Sequence, residues 1–132
     1  MAQPAKILVI DDDPDYVELT KTILESKGYQ VDFAYNKSEG RAKITSYQPD
    51  LIILDIIMER LNSGFKLCSE IKNDPNLKHI PVLTVSSVNE VTGFTFSPDT
   101  DGEYFQADDF AEKPIKAADL LERVQRLLKF RK

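Results

Sequence analysis

Two short aliphatic runs that each end abruptly on acid constrain this chain more than any other feature. Ile7-Leu8-Val9-Ile10 halts at Asp11-Asp12-Asp13, and Leu51-Ile52-Ile53-Leu54 halts at Asp55. A run of this length without polar alternation reads as a strand buried on both faces, which is the habit of parallel sheets covered by helices. Further strands are expected at 31–34, at 80–85 and, shorter, at 109–111. Helical periods fill the gaps. Asp13 followed by Pro14 supplies an N-cap and a first-turn proline for a helix reaching about Lys27, with Val17, Thr20, Ile23 and Leu24 on one face and Gly28 as its stop. Ser38 is expected to cap a short second helix through Ala42 and Ile44 to about Tyr47, which Gly40 weakens. A third helix carries Phe65, Cys68 and Ile71 and ends at Asn73-Asp74-Pro75. Lys113-Pro114 leads into an amphipathic last helix with Leu120, Leu121, Val124, Leu127 and Leu128 on its apolar face. Strict alternation of strand and helix predicts an α/β domain, a parallel sheet with right-handed crossovers and helices on both faces.

Composition narrows the classes of function. A chain of 132 residues with 42% apolar and 30% charged residues is neither disordered nor membrane-spanning, and 1–132 is read as one domain. The acidic N-terminal segment has no signal-peptide pattern, so a cytoplasmic location is expected. Cys68 is the single cysteine, which rules out an intrachain disulfide and leaves no cysteine cluster for zinc; its helical spacing makes it a core residue. A net charge of −5 argues against direct nucleic-acid binding. Lys129, Arg131 and Lys132 are explained by the dipole at a helix C-terminus. His79 has no catalytic partner pattern and reads as a loop residue before the fourth strand.

The chemistry lies where the strands end. Open parallel sheets bind ligands beyond the carboxyl ends of their strands, and there the sequence delivers Asp11, Asp12, Asp55, Ser86 and Lys113. Gathered carboxylates repel one another and call for a cation, and hard oxygen donors without a His or Cys cluster suit Mg²⁺. A cation, an ammonium and a hydroxyl around one carboxylate make a receptor for a phosphoryl group, with that carboxylate as a possible nucleophile. Helix capping accounts for Asp13 but not for three successive acids, although the metal-binding pair can be shifted by one. Thr84 shares the strand face of Ser86 and Ser87 is adjacent, so the hydroxyl donor is open among them.

The blocks ILVIDDDPD at 7–15, PDLIILDIIM at 49–58, IPVLTVSS at 80–87 and DDFAEKPI at 108–115 together resemble the receiver domain of two-component response regulators, of the chemotaxis-regulator kind. The resemblance implies a flavodoxin-like, doubly wound five-stranded sheet of order 2-1-3-4-5. It implies Asp55 as phosphoacceptor and metal ligand, Asp12 as the acid that binds Mg²⁺ directly and Asp11 as the one that binds it through water, and the backbone carbonyl of Ile57 as a further metal ligand. Ser86 falls at the Ser/Thr switch position, Lys113 at the lysine that pairs with phosphoryl oxygens, and Phe110 at the aromatic switch position; Phe110 serves equally as a core filler. The Lys113-Pro114 bond is expected to be cis.

Two segments depart from the family pattern. Glu59 stands where a proline is usual, with one extra residue in Leu61-Asn62-Ser63-Gly64. In 89–106, Gly93, Pro98 and Gly102 disfavour a regular fourth helix, so that region is expected to be irregular, and Phe94, Phe96, Tyr104 and Phe105 suit packing on the sheet or docking.

The expectation is a response regulator receiver domain, a monomer or weak dimer. It accepts a phosphoryl group on Asp55 from a histidine kinase or phosphotransfer protein with Mg²⁺ and signals by changing its binding to a downstream protein target. It is not an enzyme beyond its own aspartyl phosphorylation and dephosphorylation. No output domain follows the last helix, which suits signalling by partner binding and equally a piece of a longer regulator. The rivals are a phosphorylation-independent, receiver-like interaction module and a Mg²⁺-dependent phosphohydrolase. The hydrolase would want an acid where Ile57 stands.

Overall fold

The computed structural model describes residues 4–55, 63–86, 108–112 and 115–129. In chain order these form β1 (Lys6–Ile10), α1 (Pro14–Glu25), β2 (Gln30–Ala34), α2 (Lys37–Tyr47), β3 (Leu51–Leu54), α3 (Ser63–Asn73), β4 (Val82–Ser86), β5 (Asp109–Glu112) and α4 (Ala117–Lys129). The five strands make one sheet in the order β2-β1-β3-β4-β5, every pair parallel. This is the doubly wound order that the family resemblance implies. The 89–106 segment, with its expected irregular helix, and the Glu59 loop lie outside the described residues.

The unbroken aliphatic runs follow from a sheet covered on both sides. Successive strand residues point to opposite faces, and each face of β1 and β3 meets its own helical layer. Leu8, Ile10, Ile52 and Leu54 join Ile44 of α2 and Leu67, Cys68 and Ile71 of α3 in one core layer. Ile7, Val9, Leu51 and Ile53 join Val17 and Leu24 of α1 and Leu120 and Val124 of α4 in the other. Polar alternation in either strand would have put a polar side chain into a dry layer. Cys68 is buried, as its spacing predicted.

Local chemistry fixes the element ends. Asp13 caps α1, its carboxylate accepting from the backbone N–H of Asp15 at 3.0 Å and of Tyr16 at 3.3 Å. The helix ends at Glu25, two residues short of the Lys27 expected, and Gly28 takes the left-handed conformation (φ +89°) that turns the chain into β2. The cap of α2 is Asn36 rather than Ser38. Asn36 Oδ1 accepts from Glu39 N at 2.8 Å while the Glu39 carboxylate accepts from Tyr35 N at 3.0 Å, a reciprocal capping arrangement that satisfies two N–H groups at once. Ser38, already inside the first turn, has no such pairing to offer. The fourth strand begins at Val82 and not at Ile80; Pro81 has no N–H to give the ladder, though its carbonyl accepts from Ile52 N at 3.0 Å.

Clips on the β5 edge hold the far side of the sheet. Asp108 accepts from Val82 N at 2.8 Å and pairs with Lys72 Nζ at 2.6 Å. Asp109 pairs with Arg123 and Arg126 of α4, each at 2.9 Å.

Gly40, unfavourable for a helix by propensity, is explained by close approach. A Cβ there would lie 2.7 Å from Ile10 Cδ1 and 3.1 Å from Ile10 Cγ2, and Ile10 is fully buried. Helix α2 therefore rides directly on the end of β1, next to Asp11. Gly40→Ala is expected to destabilise the protein by about 1–3 kcal/mol of overpacking, despite a helix-propensity gain of up to about 1 kcal/mol. Pairing it with Ile10→Val, which deletes the nearest methyl, should recover part of the loss. Urea unfolding of the two single variants and the double variant checks this, and a stabilised Gly40→Ala would contradict the close approach.

Candidate functional site: a carboxylate cluster at the sheet edge

Register builds the site. Ile10 pairs with Leu54 across β1 and β3, so the residues that follow them, Asp11 and Asp55, leave the sheet side by side. The ladder continues past the strand ends: Asp55 N donates to Ile10 O at 2.9 Å and Asp11 N donates to Ala34 O at 3.0 Å. Both acids are thus fixed by backbone on the central strands. Asp11 and Asp55 are 2% and 5% exposed, whereas Asp12 faces solvent.

One carboxylate oxygen from each of Asp11, Asp12 and Asp55 lies within 4.8 Å of the others. Two buried negative charges at such a separation repel by about 3 kcal/mol at an effective dielectric near 20, so the arrangement is poised for a cation. An octahedral Mg²⁺ with oxygen ligands at about 2.1 Å places them roughly 3–4 Å apart and keeps several waters. The donor set, three hard carboxylate oxygens with one member open to solvent, fits that ion after a small contraction.

Asp13 stands apart from the trio. Its side chain is committed to the α1 cap and its own N–H donates to Asp11 Oδ1 at 3.0 Å. Of the three successive acids, Asp11 and Asp12 are the two that gather with Asp55. Thr84 is buried, and its hydroxyl donates to Asp109 O at 3.2 Å. That bond clips β4 to β5 and commits Thr84 away from the strand end. Ser86 closes β4 and pairs in register with Glu112, while Phe110 pairs with Thr84. Lys113, the Lys113-Pro114 bond and Ile57 lie outside the described residues. His79 is an exposed turn residue before β4.

One residue at this edge escaped the sequence reading. Tyr16, in the first turn of α1, has a buried hydroxyl oxygen. Burial pushes its phenol up to about 12 from the usual 10.0; the charge of Asp11 adds to the shift, a hydrogen bond with Thr20 opposes it, and the charge of Asp55 again adds. The phenol therefore lies within electrostatic reach of both buried acids. The only signal in the sequence was its place three residues after the capping Asp13, which reads equally well as an ordinary helix position.

The strand order is that of flavodoxin-like doubly wound sheets, and the carboxylate trio sits at their switch point, between β1 and β3. A model of the response regulator receiver domain matches residues 7–125, and the chain belongs to that family. RpaA of Synechocystis sp., a DNA-binding dual master transcriptional regulator, is 34% identical over 124 residues, covering 94% of this chain and 49% of RpaA. PilH of Pseudomonas aeruginosa is 31% identical, covering 94% of this chain and 98% of PilH. The crystal structure of the signal receiver domain of a signal transduction histidine kinase from Syntrophus aciditrophicus superposes with a TM-score of 0.79 at 34% identity, covering 95% of this chain and 90% of that one. The chain spans half or less of the length of several curated relatives that it matches. Among the described residues, no helix is long and apolar enough to cross a membrane.

Repulsion within the trio has a measurable consequence. In chelator and at low ionic strength, Asp12→Asn is expected to raise the thermal midpoint by a few degrees, because it removes one negative charge from the cluster. The same substitution should abolish most of the stabilisation that a divalent cation gives the wild type. Thermal unfolding followed by circular dichroism, with and without MgCl₂, checks both signs; an Asp12→Asn protein less stable than wild type in chelator would contradict the electrostatic account.

Proposed function

We propose that residues 1–132 act as a single receiver domain in which Asp55 accepts a phosphoryl group from a histidine kinase or a phosphotransfer protein. The observation that carries this reading is the convergence of Asp11, Asp12 and Asp55 at the carboxyl edge of β1 and β3. An Asp55 carboxylate oxygen attacks the phosphorus of the donor phosphohistidine. The P–N bond breaks, the imidazole leaves with the electron pair, and an acyl phosphate forms on Asp55. Asp11, Asp12 and Asp55, with the Ile57 carbonyl, would hold Mg²⁺, which would offset the negative charge of carboxylates and phosphoryl oxygens together. The backbone bond from Asp55 N to Ile10 O keeps the nucleophile at a fixed place on the central strand, so orientation is supplied before the donor arrives.

Ser86 and Lys113 take the roles of hydroxyl and ammonium partners to the phosphoryl oxygens. The placing of Ser86 at the end of β4, one residue beyond the level of Asp55, supports that role, as does the commitment of Thr84 to β5. Movement of Ser86 toward the phosphoryl group and of Phe110 after it would shift a two-state equilibrium of the β4–β5 face. Signalling then passes through altered binding to a downstream protein target, by a cytoplasmic monomer or weak dimer. The net charge of −5 disfavours direct contact with nucleic acid.

Incubation with acetyl phosphate and Mg²⁺ tests the assignment. Wild-type protein is expected to gain a single hydroxylamine-labile phosphoryl group, seen by intact mass, and both Asp55→Asn and removal of Mg²⁺ with EDTA should abolish it. Label that persists in Asp55→Asn would move the acceptor elsewhere, and an unlabelled wild type would favour an interaction module independent of phosphorylation.

A further inference from the structure

Tyr16 is bound into the carboxylate edge through more than one link. Its backbone N–H donates to the Asp13 carboxylate, and Asp13 N donates to Asp11 Oδ1, so a short chain of bonds joins it to a member of the trio. Its ring packs on the core layer that contains Val9 and Ile53, which stand two residues before Asp11 and Asp55 and so share their strand face. Its hydroxyl oxygen is buried, and the two buried acids both act electrostatically on the phenol.

We propose that Tyr16 is a positioning residue of this site: its ring seals the α1 side of the Asp11–Asp55 pair against bulk water and thereby sets the lifetime of the acyl phosphate on Asp55. The inference rests on the function proposed above. Loss of the phosphoryl group requires a water oxygen to attack phosphorus as the P–O bond to Asp55 breaks; the carboxylate leaves with the bonding pair, a water proton passes to solvent, and inorganic phosphate departs. Excluding water protects such an intermediate. A ring packed on the strand face that carries Asp11 and Asp55 would occupy volume through which water would otherwise approach.

The test uses the full chain and two readouts. The first is the half-life of the acyl phosphate after removal of acetyl phosphate, in wild type, Tyr16→Phe, Tyr16→Leu and Tyr16→Ala. The half-life is expected to shorten roughly tenfold in Tyr16→Ala, to shorten in the same direction in Tyr16→Leu, and to stay within about twofold of wild type in Tyr16→Phe. Tyr16→Leu keeps apolar bulk and covers the case in which Tyr16→Ala fails to fold, which circular dichroism reports. The second readout is the tyrosine ultraviolet difference spectrum on adding Mg²⁺ alone. It is expected in wild type and lost in Tyr16→Phe, although Tyr29, Tyr35, Tyr47 and Tyr104 remain.

A labelled wild type whose half-life is unchanged in both Tyr16→Leu and Tyr16→Ala overturns the sealing role and leaves the proposed function standing. So does a half-life in Tyr16→Phe as short as in Tyr16→Ala, since the ring would then be insufficient. A difference spectrum that persists in Tyr16→Phe overturns the placement. An unlabelled wild type removes the proposed function, and the lifetime role falls with it.

Discussion

The pairing of Ile10 with Leu54 is the contact on which the rest depends. Parallel strands in that register end together, so one backbone bond from Asp55 to Ile10 fixes two acids as neighbours. A one-residue slip would send each aliphatic side chain of β3 to the opposite layer and separate Asp55 from Asp11. Because both layers are dry and closely packed, such a slip is strongly opposed. The precision of the carboxylate edge is therefore inherited from hydrophobic packing a few ångströms away, and not from bonds among the acids.

Magnitudes show why the fold tolerates this edge. Each aliphatic side chain of β1 and β3 is almost fully buried and stabilises by roughly 1.5–3 kcal/mol relative to exposure. The repulsion between Asp11 and Asp55 is about 3 kcal/mol on the same footing, so burial of two such side chains is enough to offset it. The frustration stays local, at a place where a cation would relieve it. In the proposed function, the same fixed orientation serves Asp55 as a nucleophile whose surroundings would favour an incoming positive ion and the phosphoryl group it accompanies. Gly40 belongs to the same design: by admitting α2 against Ile10, it lets the end of β1 be covered up to the point where the acids begin.

Among the described residues the fold was almost wholly legible in the sequence, because strand burial on two faces writes itself as unbroken aliphatic runs and the strand ends as acids. The order of the five strands came from family resemblance, since hydrophobic period carries no information on which strands are neighbours. Asp11, Asp12 and Asp55 were legible for the same reason as the strands. What period and composition did not reveal depended on local pairing or on contacts across the fold. The cap at Asn36 needed the reciprocal bond with Glu39 to be noticed, and Ser38 carries the same cap chemistry two residues on. The start of the fourth strand depended on the missing N–H of Pro81. Tyr16 was invisible because its distinction lies in what surrounds its phenol, and a helix pattern gives only the direction of the side chain.

The account stands on a single divalent cation site formed by Asp11, Asp12 and Asp55. Anomalous diffraction from crystals soaked in MnCl₂, collected near the manganese edge, measures this directly. One strong peak among the three carboxylates, in coordination distance of Asp12 and Asp55 and within one bridging water of Asp11, is the predicted result. A principal peak elsewhere, or a cluster that stays without manganese at saturating concentration, would contradict it.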